Sequence, residues 1–299
     1  DQLDTSTDGT EGEKRNCEWL TSGALSEDDK AYLLTCYNKV LIFDFEQQKH
    51  VETKALAGER SILYSGSIKL GRGSRGPIIC AGTVMGGVLV WDCNEEQLLH
   101  NLKGHEGSIF DAVCSDKFDK VASCSDDRTI RVWDIQSGSE LCFAFGHTAR
   151  IWSLKFINDD TQIVSTSEDC TMRVWDIKNS SENAYTLEQR SVHETNQIKN
   201  VWGCDVSGSR IVTTGNDGRI KITDLSNIGD ENRNLSLFSL ETITFQSGKP
   251  FVAKEMFKSF QWFNFGLVVI TSKGRCFQYD KTLKTWSFLF ESEKFANYN

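Results

Sequence analysis

The chain has 299 residues, 39% hydrophobic and 25% charged, which is enough to bury a sizeable core. Its formal net charge of −9 opposes a broad electrostatic grip on nucleic acid, which needs clustered lysine and arginine, but leaves room for a local basic patch. No run of 18 apolar residues predicts a membrane-spanning helix, and 10 cysteines without a CxxC pair predict reduced, buried thiols in a soluble cytoplasmic or nuclear protein, against a disulfide framework or a zinc site.

Residues 1–16 are polar and read as a disordered lead without signal-peptide character; residues 17–299 read as one folded unit. From Cys17 onward short apolar runs alternate with turn residues, the pattern of antiparallel strands. A first unit runs from Trp19 to about Leu56 and closes on Asp44. A second closes on Trp91-Asp92 and carries Met85 where an aspartate would be expected. Inside it, Gly71 to Gly76 matches GxGxxG literally. A dinucleotide site would need a helix next, whereas Pro77 and the strand-like Ile78–Ala81 follow. The stretch reads as a loop whose Lys69, Arg72 and Arg75 offer a small basic patch for an RNA backbone.

The third and fourth units repeat one sentence. Gly104-His105 leads to Trp133-Asp134, and Gly146-His147 to Trp175-Asp176, at a spacing of 42 residues for both landmarks. GH opening and WD closing near this period is the mark of the WD repeat, each unit a four-stranded blade of a β-propeller. The fifth unit has His193 without a preceding glycine, a turn at Asn216-Asp217-Gly218, and Thr223 where tryptophan would stand. The sixth runs from Phe257 to about Phe290. Closing aspartates fall at Asp44, Asp92, Asp134, Asp176, Asp224 and Asp280, with intervals of 48, 42, 42, 48 and 56, so the extra residues are loop insertions. The expectation is an all-β WD-repeat propeller with six recognisable blades in a ring of six or seven.

His105, Ser123, Asp127 and Trp133 contain the residue types of a hydrolase triad. The same set recurs as His147, Ser165, Asp169 and Trp175, and in part as His193, Thr213 and Asp217 without the indole. A nucleophile normally occurs once, whereas a scaffold element recurs. These residues are therefore expected to pin loops to blades through buried hydrogen bonds, more loosely in the fifth unit. No catalytic residue is assigned. His50 and His100 lack metal-ligand spacing, and no metal or cofactor is expected. Arg150 and Trp152, which follow His147, are not demanded by core packing. With Glu168, and with Lys199 and Trp202 echoing them in the fifth unit, they form the candidate partner-binding rim. The structural alternative is that Trp152 and Trp202 line the central channel.

The stretches Gly104–Phe110, Ser125–Asp134, Gly146–Trp152, Ser167–Cys170 and Asn200–Gly203 resemble the WD-repeat protein six family, over roughly residues 100–225. The GH and WD elements are generic; the HTARIW and EDC phrases are more specific. The resemblance implies a non-catalytic subunit that holds a tRNA 2′-O-ribose methyltransferase and positions tRNA for methylation of the wobble nucleotide. It also implies a longer protein with more than one ring, of which this chain is one ring or part of one. The alternative is a general interaction platform such as a ubiquitin-ligase substrate receptor. Receptors of that kind often carry WDxR, whereas here Ile135-Gln136, Ile177-Lys178 and Cys93-Asn94 follow the WD pairs.

Overall fold

A computed structural model describes residues 19–58, 61–71, 76–181, 184–194, 200–225, 236–250, 252–280 and 282–292. The expected lead at 1–16 lies outside the described residues. Six four-stranded antiparallel sheets follow one another along the chain, each made of four consecutive strands. The first blade is β1 (Leu20–Leu25), β2 (Lys30–Thr35), β3 (Lys39–Asp44) and β4 (Lys49–Ala55). The second is β5 (Leu63–Lys69), β6 (Ile78–Thr83), β7 (Val88–Asp92) and β8 (Gln97–Leu102). The third is β9 (Ile109–Cys114), β10 (Lys120–Ser125), β11 (Ile130–Asp134) and β12 (Glu140–Ala144). The fourth is β13 (Ile151–Ile157), β14 (Gln162–Ser167), β15 (Thr171–Ser181) and β16 (Ala184–Glu194). The fifth is β17 (Val201–Ser207), β18 (Arg210–Gly215), β19 (Arg219–Asp224) and β20 (Ser236–Ser239); the sixth, β21 (Phe257–Phe263), β22 (Gly266–Thr271), β23 (Arg275–Asp280) and β24 (Thr285–Glu291). The architecture is an all-β propeller of six blades. The Gly71–Gly76 loop joins β5 to β6, which pair directly; no helix follows it, and residues 72–75 lie outside the described residues.

The closing aspartates end the third strand in five blades, and in four of them the carboxylate organises the turn that follows. Asp44 Oδ1 accepts from Gln47 N at 2.9 Å, Asp92 Oδ1 from Asn94 N at 2.8 Å, Asp134 Oδ2 from Ser137 N at 2.7 Å and Asp280 Oδ1 from Thr282 N at 2.7 Å. In the fourth blade Asp176 instead lies inside an 11-residue strand, because β15 and β16 run on as a long hairpin. The 56-residue interval before Asp280 holds something that strand reading missed, a short helix α1 (Leu240–Gln246) capped by Ser239. Its Leu240 and Ile243 face the core between blades five and six, so the insertion is packed structure as well as loop.

Central strands buried on both faces, such as β6 and β14, show that each sheet is sandwiched between neighbours. Five hydrophobic clusters follow from this, one at each junction between successive blades. Among the described residues no such cluster joins blade six to blade one. The outward faces there, Leu33, Leu41 and Phe43 on one side and Val268 and Ile270 on the other, are only partly buried. Eight of the nine described cysteines are buried, and burial pushes the thiols of Cys142 and Cys204 up to about 12.

Candidate functional site

In blade three His105 Nδ1 lies 2.8 Å from Asp127 Oδ2, and its Nε2 lies 2.9 Å from Ser123 Oγ. Trp133 Nε1 donates to the same Ser123 Oγ at 2.9 Å, and the Thr129 hydroxyl donates to Asp127 Oδ1 at 2.6 Å. Blade four repeats the arrangement: His147 to Asp169 and to Ser165 at 2.8 Å each, and Trp175 Nε1 to Ser165 Oγ at 2.8 Å. Proton directions close the chain. The carboxylate accepts from Nδ1–H, the neutral Nε2 accepts from the serine hydroxyl, and the serine oxygen accepts from the indole. Burial lowers the pKa of His147, favouring that neutral ring, with the bond to Asp169 acting in the opposite sense. Burial pushes the carboxyls of Asp127 and Asp169 up. The hydrogen bonds from histidine and threonine outweigh it and hold both well below the usual carboxylate range.

This is the connectivity of a Ser-His-Asp triad. Ser123 and Ser165 are nevertheless 0% exposed, and each oxygen is already engaged by an indole, so no substrate can approach either one. The sets fasten the loop before each inner strand to the turn between second and third strands. Among the described residues no group of three or more His, Cys, Asp or Glu could hold a metal ion, and no helix is long and apolar enough to cross a membrane.

Blade five does not assemble the same set. Among the described residues Thr213 Oγ1 and Asp217 Oδ2 are buried without a hydrogen-bond partner, and Thr223 occupies the place of the indole that would have donated to position 213. The backbone of His193 pairs with Met172 in the outer strand of blade four; its side chain, and the whole of Lys199, lie outside the described residues.

Three of the rim residues, Arg150, Trp152 and Glu168, meet at the end of the channel where the inner strands begin. Arg150 Nε lies 2.8 Å from Glu168 Oε2 and 3.2 Å from Asp126 Oδ1, so it ties the turns of blades three and four together. Its guanidinium also stands over the rings of Phe110 and Trp152, at 6.0 and 5.6 Å. Trp152 packs on Phe110 at 4.4 Å, and Phe110 on Tyr64 at 5.1 Å. Trp202 is in a neighbouring pair with Phe260, at 5.7 Å.

One backbone feature puts these rings there. Every inner strand has a register shift at its second residue, leaving Thr21, Tyr64, Phe110, Trp152, Trp202 and Lys258 unpaired at the bulge. A bulge re-aims the side chain it carries. Four consecutive blades, two to five, place an aromatic at that position. Tyr64, Phe110 and Asp126 were missed by sequence reading. The repeat register held the signal, since Phe110 and Asp126 stand one 42-residue period before Trp152 and Glu168. A separate cavity of about 1460 Å³ opens at the opposite end of the channel, lined in part by Asp28, Lys69, Asp116 and Gln261.

Comparison with known proteins agrees with this geometry. Residues 96–134 and 139–176 match the model of the WD domain, G-beta repeat. The chain carries WD repeats. No curated protein matches it. A solved structure of U3-55K is similar with a TM-score of 0.68 and 17% identity, covering 91% of this chain and 80% of that one. At that identity the likeness shows the fold alone. Propellers of this repeat are typically non-catalytic platforms for protein interaction.

Proposed function

We propose that the protein is a non-catalytic WD-repeat scaffold of the cytoplasm that holds a tRNA 2′-O-ribose methyltransferase subunit and positions tRNA for methylation of the wobble nucleotide. One observation carries the reading. Arg150, Trp152 and Glu168, which mark the resemblance beyond the generic repeat, play no part in the blade networks, yet they converge on one rim. Aromatics beside arginine are favoured at protein contacts. The acidic balance suits a subunit that meets RNA through its partner. At the expected basic patch, Lys69 is ion-paired with Asp116, and Arg72 and Arg75 lie outside the described residues.

The test is to isolate the protein from its own cells and identify what accompanies it in stoichiometric amount. A methyltransferase, together with loss of wobble-ribose methylation when the scaffold is removed, is the expected result. Ligase subunits alone, or unchanged methylation, would overturn the proposal.

A further inference from the structure

On the reading that this rim binds a partner protein, we infer that the channel mouth over blades two to four receives a basic side chain of that partner. It would lie on the faces of Phe110 and Trp152 between the carboxylates of Asp126 and Glu168, with an adjoining apolar side chain on Tyr64 and Met85.

Three observations converge on this chemistry. First, Tyr64, Phe110 and Trp152 belong to none of the five interblade clusters, so core packing does not account for them. They form one continuous aromatic surface across three blades, and Tyr64 is 50% exposed. Second, Met85 stands where blades three and four place Asp127 and Asp169. It is 88% exposed, in a turn whose Val84 carbonyl accepts from Ser108 Oγ, at the entrance to the next inner strand. An exposed methionine is adaptable contact surface. Third, the site already contains a guanidinium of its own. Arg150 sits on the two rings and between the two carboxylates, which shows that the place fits such a cation. All three charged side chains are close to half-exposed, and ion pairs of that kind are weak, so an incoming cation can displace Arg150. The same carboxylates and the net charge of −9 oppose a phosphate backbone at this mouth.

The experiment uses the full chain and three labelled probes: a short peptide with one arginine flanked by leucines, the same peptide with uncharged citrulline for arginine, and oligouridine. Binding is read by fluorescence anisotropy. The arginine peptide is expected to bind saturably and about tenfold more tightly than the citrulline form, the scale of a desolvated cation–π contact. Arg150→Ala vacates the seat and should tighten binding about threefold, as expected for removing a weak surface competitor. Trp152→Leu should abolish it, with circular dichroism confirming that both variants fold. Equal affinity for the two peptides, no saturation at millimolar concentration, weaker binding by Arg150→Ala, or binding of oligouridine alone would each overturn the inference. Retention of the natural partner separates the two readings. If Trp152→Leu loses the partner but no peptide binds the wild type, the rim stands and the cation falls. If the peptides bind as expected while Trp152→Leu keeps the partner, the mouth stands and the scaffold's partner docks elsewhere.

Discussion

Blades three and four differ from blade five in two landmarks: Thr223 stands in place of the indole, and His193 lies in the outer strand of blade four instead of the loop that enters the inner strand. With Trp133 or Trp175 present, the serine on the second strand has a donor to accept from, the histidine has a hydroxyl to accept from, and the aspartate has an N–H to hold. With Thr223 in place of the indole and no histidine at that loop position among the described residues, Thr213 Oγ1 and Asp217 Oδ2 are buried without a described partner. Blades five and six are held by other means. The helix α1 inserts Leu240 and Ile243 between them, and in blade six Glu255 takes the Nε–H of buried Arg275 at 2.8 Å. A blade can therefore lose the repeat's rivet and keep the fold, provided something else packs the junction.

The sharpest way to break this comparison is to remove the equivalent aspartate from each blade. Asp169→Ala deprives His147 Nδ1, the Thr148 N–H and the Thr171 hydroxyl of their acceptor, and should lower stability by about 1–3 kcal/mol. Asp217→Ala removes a carboxylate that accepts from Arg219 N at 3.1 Å and has one oxygen without a partner, and should cost well under half as much. Urea unfolding of the two variants checks it. Equal losses would mean that blade five is fastened as tightly as its neighbours.

How much of this was legible in the sequence varies by element. The two clean blades were readable because their landmarks recur at 42 residues, and one strand period places His, Ser, Asp and Trp within reach of one another. The closing aspartates were readable because a side chain that caps its own turn is a local device. The aromatic mouth was half readable. Trp152 and Trp202 stood out as residues the core did not need, but Phe110 and Tyr64 look like ordinary strand apolars until a bulge turns them out of the ladder. The helix α1 escaped because Leu240–Gln246, with two threonines and an isoleucine, has the composition of a strand; packing of Leu240 and Ile243 decides it. His193 was placed by analogy with the preceding repeats, whereas its backbone belongs to the outer strand of the blade before.

Acid should sharpen the same contrast. The folded-state pKa of His147 lies below its ordinary 6.5, so the unfolded chain takes up that proton first; the contribution is full above about pH 6.5 and is lost as pH falls through the folded value. Asp127 and Asp169 are held below their ordinary 3.8, so their contribution is present above that pH and disappears as pH drops toward the folded values. Stability measured from pH 7 down to about 2 should therefore fall in two stages. The lower stage should flatten in a protein carrying both Asp127→Ala and Asp169→Ala. A double variant with the wild-type acid slope would remove the two rivets from the account of acid sensitivity.

The smallest expected effect, that of Thr213→Val, is the most discriminating, because its sign is opposite to that of the equivalent change in blade four. Ser165→Ala strips His147 Nε2 and Trp175 Nε1 of their shared partner, and both are buried, so a loss of about 1–3 kcal/mol is expected. Thr213→Val makes the same deletion of a hydroxyl at the equivalent place in blade five, where the oxygen has no partner among the described residues. The methyl that replaces it fills the same volume without a desolvation penalty, so the variant should be neutral or more stable by up to about 1 kcal/mol. Thermal melts of the two variants beside the wild type read the sign directly. A loss in Thr213→Val comparable to that in Ser165→Ala would show that the hydroxyl of blade five is bonded after all and that the indole is dispensable to the rivet.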